Sequence, residues 1–135
     1  MPALYLLDTN IVSYLLKNQI PAVQARFSAA GADSIALSSI TEGEVFYGIA
    51  NRPGATRLRN AAESFFAVAT VLSWDSAAAR TYGQLRADQE RKGRPLSVED
   101  LMIASHALSL GLTLVTHDRV FAFVDGLRTE DWTVA

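Results

Sequence analysis

The stretch LYLLDTN, residues 4–10, decides the fold, because it joins an apolar strand to a helix through a carboxylate. A short apolar run without polar alternation is typical of a strand buried on both faces of a parallel sheet. We predict this strand at about Ala3 to Leu7, with Thr9 or Asn10 as the N-cap of the helix that follows. Asp8 then lies at the carboxyl end of the strand.

A second apolar run, Leu112 to Thr116, has the same arrangement, since Asp118 follows it closely. We predict its strand at Thr113 to Thr116. In open parallel sheets, ligands bind outside the carboxyl ends of the strands. Asp8 and Asp118 are therefore predicted to share one edge of the sheet.

The rest of the chain alternates short apolar strands with longer amphipathic segments, which indicates an α/β fold. We predict a three-layer sandwich in which helices flank a central, mostly parallel sheet. The further strands are predicted at Ile35 to Leu37, at Val71-Leu72 and, as an edge strand, at Trp132 to Val134. The further helices are predicted after Pro21, from the capping-box segment Ser39-Ile40-Thr41-Glu42, along the stripe Leu58, Ala62, Phe65 and Ala69, from Asp75 to about Gly93 before Pro95, from Ser97 to Gly111, and around Phe121 and Phe123.

The length and composition are those of one compact domain, and we assign residues 1–135 to it. Cysteine is absent, which excludes disulfides, thiolate metal sites and a cysteine nucleophile. We find no apolar run of about 20 residues and no signal-peptide pattern, so we expect a cytoplasmic protein without a membrane span. The net charge of −2 gives by itself no sign of a nucleic-acid partner.

Two further acids, Glu44 and Asp100, lie near the starts of helices that begin at the same predicted edge. With Asp8 and Asp118 they form a candidate site of four carboxylates in one cleft. Such a cluster is unfavourable without a cation, because like charges repel and raise at least one pKa. Oxygen ligands suit Mg²⁺ or Mn²⁺, which indicates metal-dependent hydrolysis of a nucleic-acid backbone.

Each of these acids also has an ordinary structural interpretation, and the spacing leaves the choice open. Asp8 can cap the helix after it, and Asp118 can cap the short helix that carries Phe121. Asp100 stands at capping-box spacing from Ser97. Glu44 can be an exposed helix glutamate.

Histidines and basic residues offer other candidates. A metal-free acid-base pair of His106 and His117 is a minor alternative, since His106 is better explained by helix packing and His117 by a place beside the metal or the RNA. There is no zinc-binding histidine spacing and no glycine-rich phosphate loop. The basic residues form two groups, each of which can be a solvated face or a set of phosphate contacts. The first group is Arg80, Arg86, Arg91, Lys92 and Arg94, and the second is Arg52, Arg57 and Arg59. Arg86 and Arg94 are the preferred RNA contacts.

Four local phrases resemble the PIN-domain ribonucleases, and most closely the VapC toxins of bacterial toxin-antitoxin pairs. They cover nearly the whole chain and are Leu6-Leu7-Asp8-Thr9-Asn10, Ser38-Ser39-Ile40-Thr41 leading to Glu44 and Gly48, Asp100-Leu101-Met102-Ile103-Ala104 with Ala107, and Leu114-Val115-Thr116-His117-Asp118. The resemblance implies that Asp8, Glu44, Asp100 and Asp118 are the acidic metal-binding residues. It matches Thr9 and Asn10 to the amino-terminal motif and Thr116 to the hydroxyl residue near the last acid.

Many relatives carry asparagine in place of Asp118, with an acid a little later where this chain has Val120. If Asp118 is an outer group, three carboxylates hold the metal and Glu99 is the next acid to consider. The resemblance further implies an endoribonuclease toxin that forms a homodimer and is inhibited by a small VapB-like antitoxin in a toxin-antitoxin hetero-oligomer. The alternatives are a house-keeping RNA-processing nuclease without an antitoxin and a catalytically silent RNA-binding domain.

Overall fold

A central parallel sheet organises the molecule, which is a computed structural model that describes residues 3–94 and 96–134. All strand pairs in the described part of the chain are parallel, and the strand order is β3-β2-β1-β4-β5. The strands are β1 (Tyr5–Leu7), β2 (Ile35–Ser38), β3 (Val71–Leu72), β4 (Thr113–Val115) and β5 (Thr129–Glu130). The predicted α/β fold is therefore confirmed.

Helices cover both faces of this sheet. They are α1 (Thr9–Lys17), α2 (Pro21–Ala30), α3 (Ser39–Ala50), α4 (Thr56–Val68), α5 (Ser76–Arg91) and α6 (Val98–Leu110), with short 3-10 helices at Ala32–Ser34 and Arg119–Phe123. Among the described residues, none of the helices has the length and apolar character needed to cross a membrane.

Alternating side chains of the strands supply two separate cores. Leu6 packs on one face of the sheet with Ile103 and Phe121, whereas its neighbour Leu7 packs on the other face with Ile11. Successive strand residues point to opposite faces, so an apolar residue at both positions requires a helix layer on each side. This is the physical reason why the short unbroken runs of the sequence predict a buried sheet.

Two helix caps differ by one or two residues from the prediction. Helix α1 is capped by Asp8, whose Oδ1 accepts from the Ile11 amide at 2.9 Å, rather than by Thr9 or Asn10. Helix α3 is capped by Ser38, one residue before the predicted capping box. Ser39 Oγ instead makes a tertiary contact, in which it accepts a hydrogen bond from the Trp74 amide at 3.0 Å.

The predicted edge strand at Trp132 to Val134 is wrong, since β5 lies at Thr129–Glu130 and pairs with β4. Trp132 is buried and packs edge-on against Tyr5 with ring centroids 5.2 Å apart, so its apolar character reflects core packing. Asp75 caps α5 as predicted. The predicted stop at Pro95 lies outside the described residues.

Candidate active site

The four predicted acids line a single pocket of about 240 Å³ at the carboxyl edge of the sheet. Asp8 follows β1, Asp118 follows β4 by three residues, and Glu44 and Asp100 come from the amino-terminal halves of α3 and α6. Thr9, Asn10 and Glu99 also line the pocket. The parallel topology therefore brings together side chains that are far apart in sequence.

Asp8 is the buried member of the group, with 6% of its surface exposed. One carboxylate oxygen accepts from the Ile11 amide and the other from the Thr116 hydroxyl. Burial raises the pKa of Asp8 to about 6, against the lowering effect of these two donors, and the Asp100 and Asp118 carboxylates raise it further. The capping role and the place in the pocket thus belong to the same side chain.

Glu44 is half-buried and is held by Thr9, whose hydroxyl donates to the Glu44 carboxylate. This bond joins the first residue of α1 to α3. Thr41, one turn before Glu44, is fully buried with its hydroxyl oxygen 3.5 Å from that of Thr9. Sequence reasoning gave Thr41 no role of its own, although its four-residue spacing from Val45 marks an inward-facing position.

Asp100 is half-buried at the start of α6, where its amide donates to the Ser97 hydroxyl at 3.1 Å. Burial raises the pKa of the Asp100 carboxyl, the Ser97 hydroxyl opposes this, and the Asp118 and Glu99 carboxylates raise the pKa further. Ser97 therefore caps the helix, while the carboxylate of Asp100 lines the pocket.

Asp118 is exposed and caps the 3-10 helix Arg119–Phe123, because its carboxylate accepts from the Val120 amide at 3.0 Å. Thr116 links it to Asp8: the Thr116 hydroxyl donates to Asp8 and accepts from the Asp118 amide at 3.0 Å. Asp118 thus caps the 3-10 helix, as one interpretation of the sequence predicted, and it also lines the acidic pocket.

The chemistry of this donor set fits a hard divalent cation, since every ionisable side chain that lines the pocket is a carboxylate. Burial, and after it the charges of neighbouring carboxylates, raises the pKa values of Asp8 and Asp100, and a bound cation would favour their charged forms. Within the described ranges, no three acidic or histidine side chains are already close enough together to ligate one ion. The acids surround the pocket and are held by their own hydrogen-bond donors.

The histidines and the preferred arginines lie elsewhere. His106 is buried and its Nδ1 lies 2.8 Å from Ser38 Oγ, a helix-packing role as predicted. His117 does not line the acidic pocket, and its Nδ1 lies 2.9 Å from a carboxylate oxygen of Asp131.

Arg86 and Arg94, the preferred RNA contacts, do not line the acidic pocket either. Arg86 pairs with Glu90 at 3.0 Å. Arg94 donates to the Phe123 carbonyl and lies 3.6 Å from Asp125. Their role in RNA binding stays a prediction.

Asp100→Asn should raise the melting temperature of the metal-free protein by a few degrees at neutral pH, because it removes a carboxylate whose charged form is disfavoured by burial and by the neighbouring acids. The amide-to-Ser97 bond that caps α6 uses the backbone of residue 100 and survives the change. Thermal unfolding in EDTA measures this. A clear fall would mean that the Asp100 carboxylate stabilises the helix more than it repels its neighbours.

Comparison with known proteins identifies the family of this chain. Residues 5–127 match the PIN domain family. The chain is 42% identical to the tRNA(fMet)-specific endonuclease VapC of Shigella flexneri over 96% of this chain and 98% of that protein. It is 36% identical to Ribonuclease VapC2 of Haemophilus influenzae over 95% and 97% of the two chains. The crystal structure of DNA-bound VapBC from Salmonella typhimurium superposes with a TM-score of 0.90 at 37% identity, covering 96% and 98%. This chain therefore belongs to the PIN-domain family, among the VapC ribonucleases.

Proposed function

We propose that this protein is the toxin of a toxin-antitoxin pair and acts as an endoribonuclease that hydrolyses phosphodiester bonds in RNA. The observation that carries the proposal is the single pocket lined by Asp8, Glu44, Asp100 and Asp118. Identity of 42% to a VapC endonuclease over nearly the full length supports it. A purely structural domain would gain nothing from the repulsion between these acids.

The proposed cofactor is Mg²⁺ or Mn²⁺, held by Asp8, Glu44 and Asp100, with Asp118 as the fourth ligand or the group that positions water. When bound, the ion supplies Lewis-acid stabilisation of the phosphodiester and lowers the pKa of water so that it can attack. The proposed nucleophile is water, so no covalent intermediate with the protein is expected.

The side chains of the protein prepare this pocket in three ways. Thr116 and the Ile11 amide fix both oxygens of Asp8. Thr9 holds the Glu44 carboxylate at the wall of the pocket before a cation binds. Asn10 is exposed at the rim, where its side-chain amide is free to donate to a phosphate oxygen of the substrate.

The proposed substrate class is transfer RNA, cut in a single-stranded or loop region. Relatives from Shigella flexneri and Salmonella typhimurium, 42% and 38% identical to this chain, are named tRNA(fMet)-specific endonucleases. Incubation of the purified protein with initiator tRNA and, as a matched control, with elongator methionine tRNA tests this. We expect cleavage of the initiator alone. Equal cleavage of both would overturn the specificity, and cleavage of neither would overturn the nuclease activity.

The proposed partner is a VapB-like antitoxin, and the proposed site of action is the cytoplasm. Related structures are described as VapBC complexes, some of them bound to DNA, which supports a toxin-antitoxin hetero-oligomer. A homodimer stays a prediction from the resemblance. Induced expression should arrest growth, and co-expression of a short reading frame adjacent to the gene should restore it. RNA cleavage without growth arrest would favour a house-keeping nuclease.

A further inference from the structure

A second groove lies next to the acidic pocket, between α1 and α3. On each side the wall residues recur at every fourth position, which places those within α1 and α3 on one face of each helix, while Arg52 lies two residues beyond the end of α3. We call it the α1–α3 groove, and its polar wall consists of Thr9, Ser13 and Lys17 on one side and Glu44, Gly48 and Arg52 on the other. Thr9 and Glu44 also line the acidic pocket, so the two cavities adjoin at the Thr9–Glu44 hydrogen bond.

The charge along this groove changes from one end to the other. Acidic Glu44 stands at the junction with the pocket, whereas Lys17 and Arg52 stand eight residues further along their segments. Along α1, the eight residues from Thr9 to Lys17 rise about 12 Å at 1.5 Å per residue. Beyond Lys17 the groove widens into a cavity of about 400 Å³ that Lys17 and Arg52 share with Arg57.

Within the part of the chain that the structure describes, Lys17, Arg52 and Arg57 have no internal side-chain partner, unlike most basic side chains nearer the carboxyl terminus. Lys17, Arg52 and Arg57 are exposed, and within residues 3–94 and 96–134 none of them forms an ion pair or a side-chain hydrogen bond. By contrast, Arg86 and Arg94 are both bound to side chains or carbonyls of this chain. Free cations that line a groove are available to an anionic ligand without first breaking an ion pair.

We propose that the α1–α3 groove carries the RNA strand on one side of the scissile phosphate, with Lys17, Arg52 and Arg57 bound to successive backbone phosphates. This inference rests on the proposed nuclease function and assigns the substrate a direction across the molecule. The contacts are phosphate contacts, which position the strand and do not read its bases.

The floor of the groove leaves room for such a strand at Gly48. A Cβ atom built on Gly48 meets nothing within 4 Å, and the residue is exposed on the groove side of α3. A longer side chain at this position would therefore enter the groove rather than the core. Replacement of a helical glycine also favours the helix, so such a variant should fold.

The first test measures binding of a short single-stranded RNA across a series of KCl concentrations, in an Asp8→Asn background that prevents cleavage. Combined Lys17→Gln, Arg52→Gln and Arg57→Gln substitutions should weaken binding about tenfold and reduce the slope of log affinity against log salt by about 2, because each single-strand phosphate contact contributes about 0.7. The matched control combines Arg59→Gln, Arg80→Gln and Arg91→Gln, which remove the same number of charges from residues that line neither cavity.

The second test compares Gly48→Glu with Gly48→Gln, which have similar size and differ in charge. We expect Gly48→Glu to weaken RNA binding several-fold more than Gly48→Gln, with a melting temperature no lower than that of the parent. An unchanged salt slope in the triple variant, or equal binding by the two Gly48 variants, would overturn the proposal. So would loss of antitoxin binding with unchanged RNA binding, since the groove would then belong to the partner protein. Because binding is measured without turnover, failure of the nuclease proposal appears separately, as absent cleavage by the parent.

Discussion

Replacement of Asp8 by asparagine should reduce RNA cleavage about 1,000-fold, the scale expected when a group that stabilises the transition state is removed. Asp8 is the central acid of the pocket, because it is buried and both of its oxygens are fixed by hydrogen bonds. Asparagine keeps a carbonyl oxygen for the Ile11 amide, so α1 retains its cap. Only the negative charge and one acceptor are lost.

The measurement is single-turnover cleavage of the preferred RNA at saturating divalent cation. Asp33→Asn is the matched control, because Asp33 is exposed on the 3-10 helix Ala32–Ser34 and does not line the acidic pocket. The control should cleave at the parent rate. If Asp8→Asn retained more than about a tenth of the parent rate, a difference of less than 1.4 kcal/mol, the pocket would not be the catalytic site.

The pH dependence of stability should also differ strongly between the parent and Asp8→Asn when no metal is present. The pKa of Asp8 is raised from 3.8 to about 6, so the native state binds its proton more tightly than the unfolded state does. Stability then falls as pH rises between about pH 4 and pH 6. A shift of about 2 pKa units corresponds to a loss of about 3 kcal/mol.

Urea unfolding in EDTA at a series of pH values measures this loss as the difference between the two proteins, which cancels the titration of the remaining acids. The free energy of unfolding of the parent should fall by about 3 kcal/mol relative to Asp8→Asn across that window and stay low above it. Saturating Mg²⁺ at neutral pH should restore the parent but not the variant. Parallel pH profiles for both proteins would show that ionisation of the buried Asp8 carboxylate does not lower the free energy of unfolding.

Much of the site was predictable because its acids follow features that local sequence encodes. Asp8 and Asp118 follow short apolar runs, and such runs in parallel sheets end at a common edge. Their partners were less predictable. The resemblance implied a hydroxyl at Thr116, but only the fold shows its function, which is to hold the Asp8 carboxylate and the Asp118 amide together.

Other features depend on tertiary contacts that the local pattern does not contain. By residue type, Ser38 and Ser39 are equally suitable as the N-cap of α3. In the fold the Trp74 amide donates to the Ser39 hydroxyl, and Ser38 caps the helix. Trp132 looks like a strand residue because it is apolar, yet it packs against Tyr5 beyond the end of β5.

The arginines are the clearest case of this limit. Arg86 and Arg52 are indistinguishable as basic residues in the sequence. In the fold, Arg86 donates hydrogen bonds to Glu90 and Tyr82. Arg52 lines a groove and has no internal side-chain partner among the described residues. Which cations are free for a ligand is therefore a property of packing.

The most direct test of the metal-dependent nuclease is cleavage of one RNA by the same purified protein under three conditions: after metal removal by EDTA, after addition of excess Mg²⁺, and after addition of excess Mn²⁺. The four carboxylates of the pocket predict no cleavage in EDTA and recovery with either ion. Equal cleavage in EDTA and in Mg²⁺ would contradict a metal-dependent mechanism at Asp8, Glu44, Asp100 and Asp118.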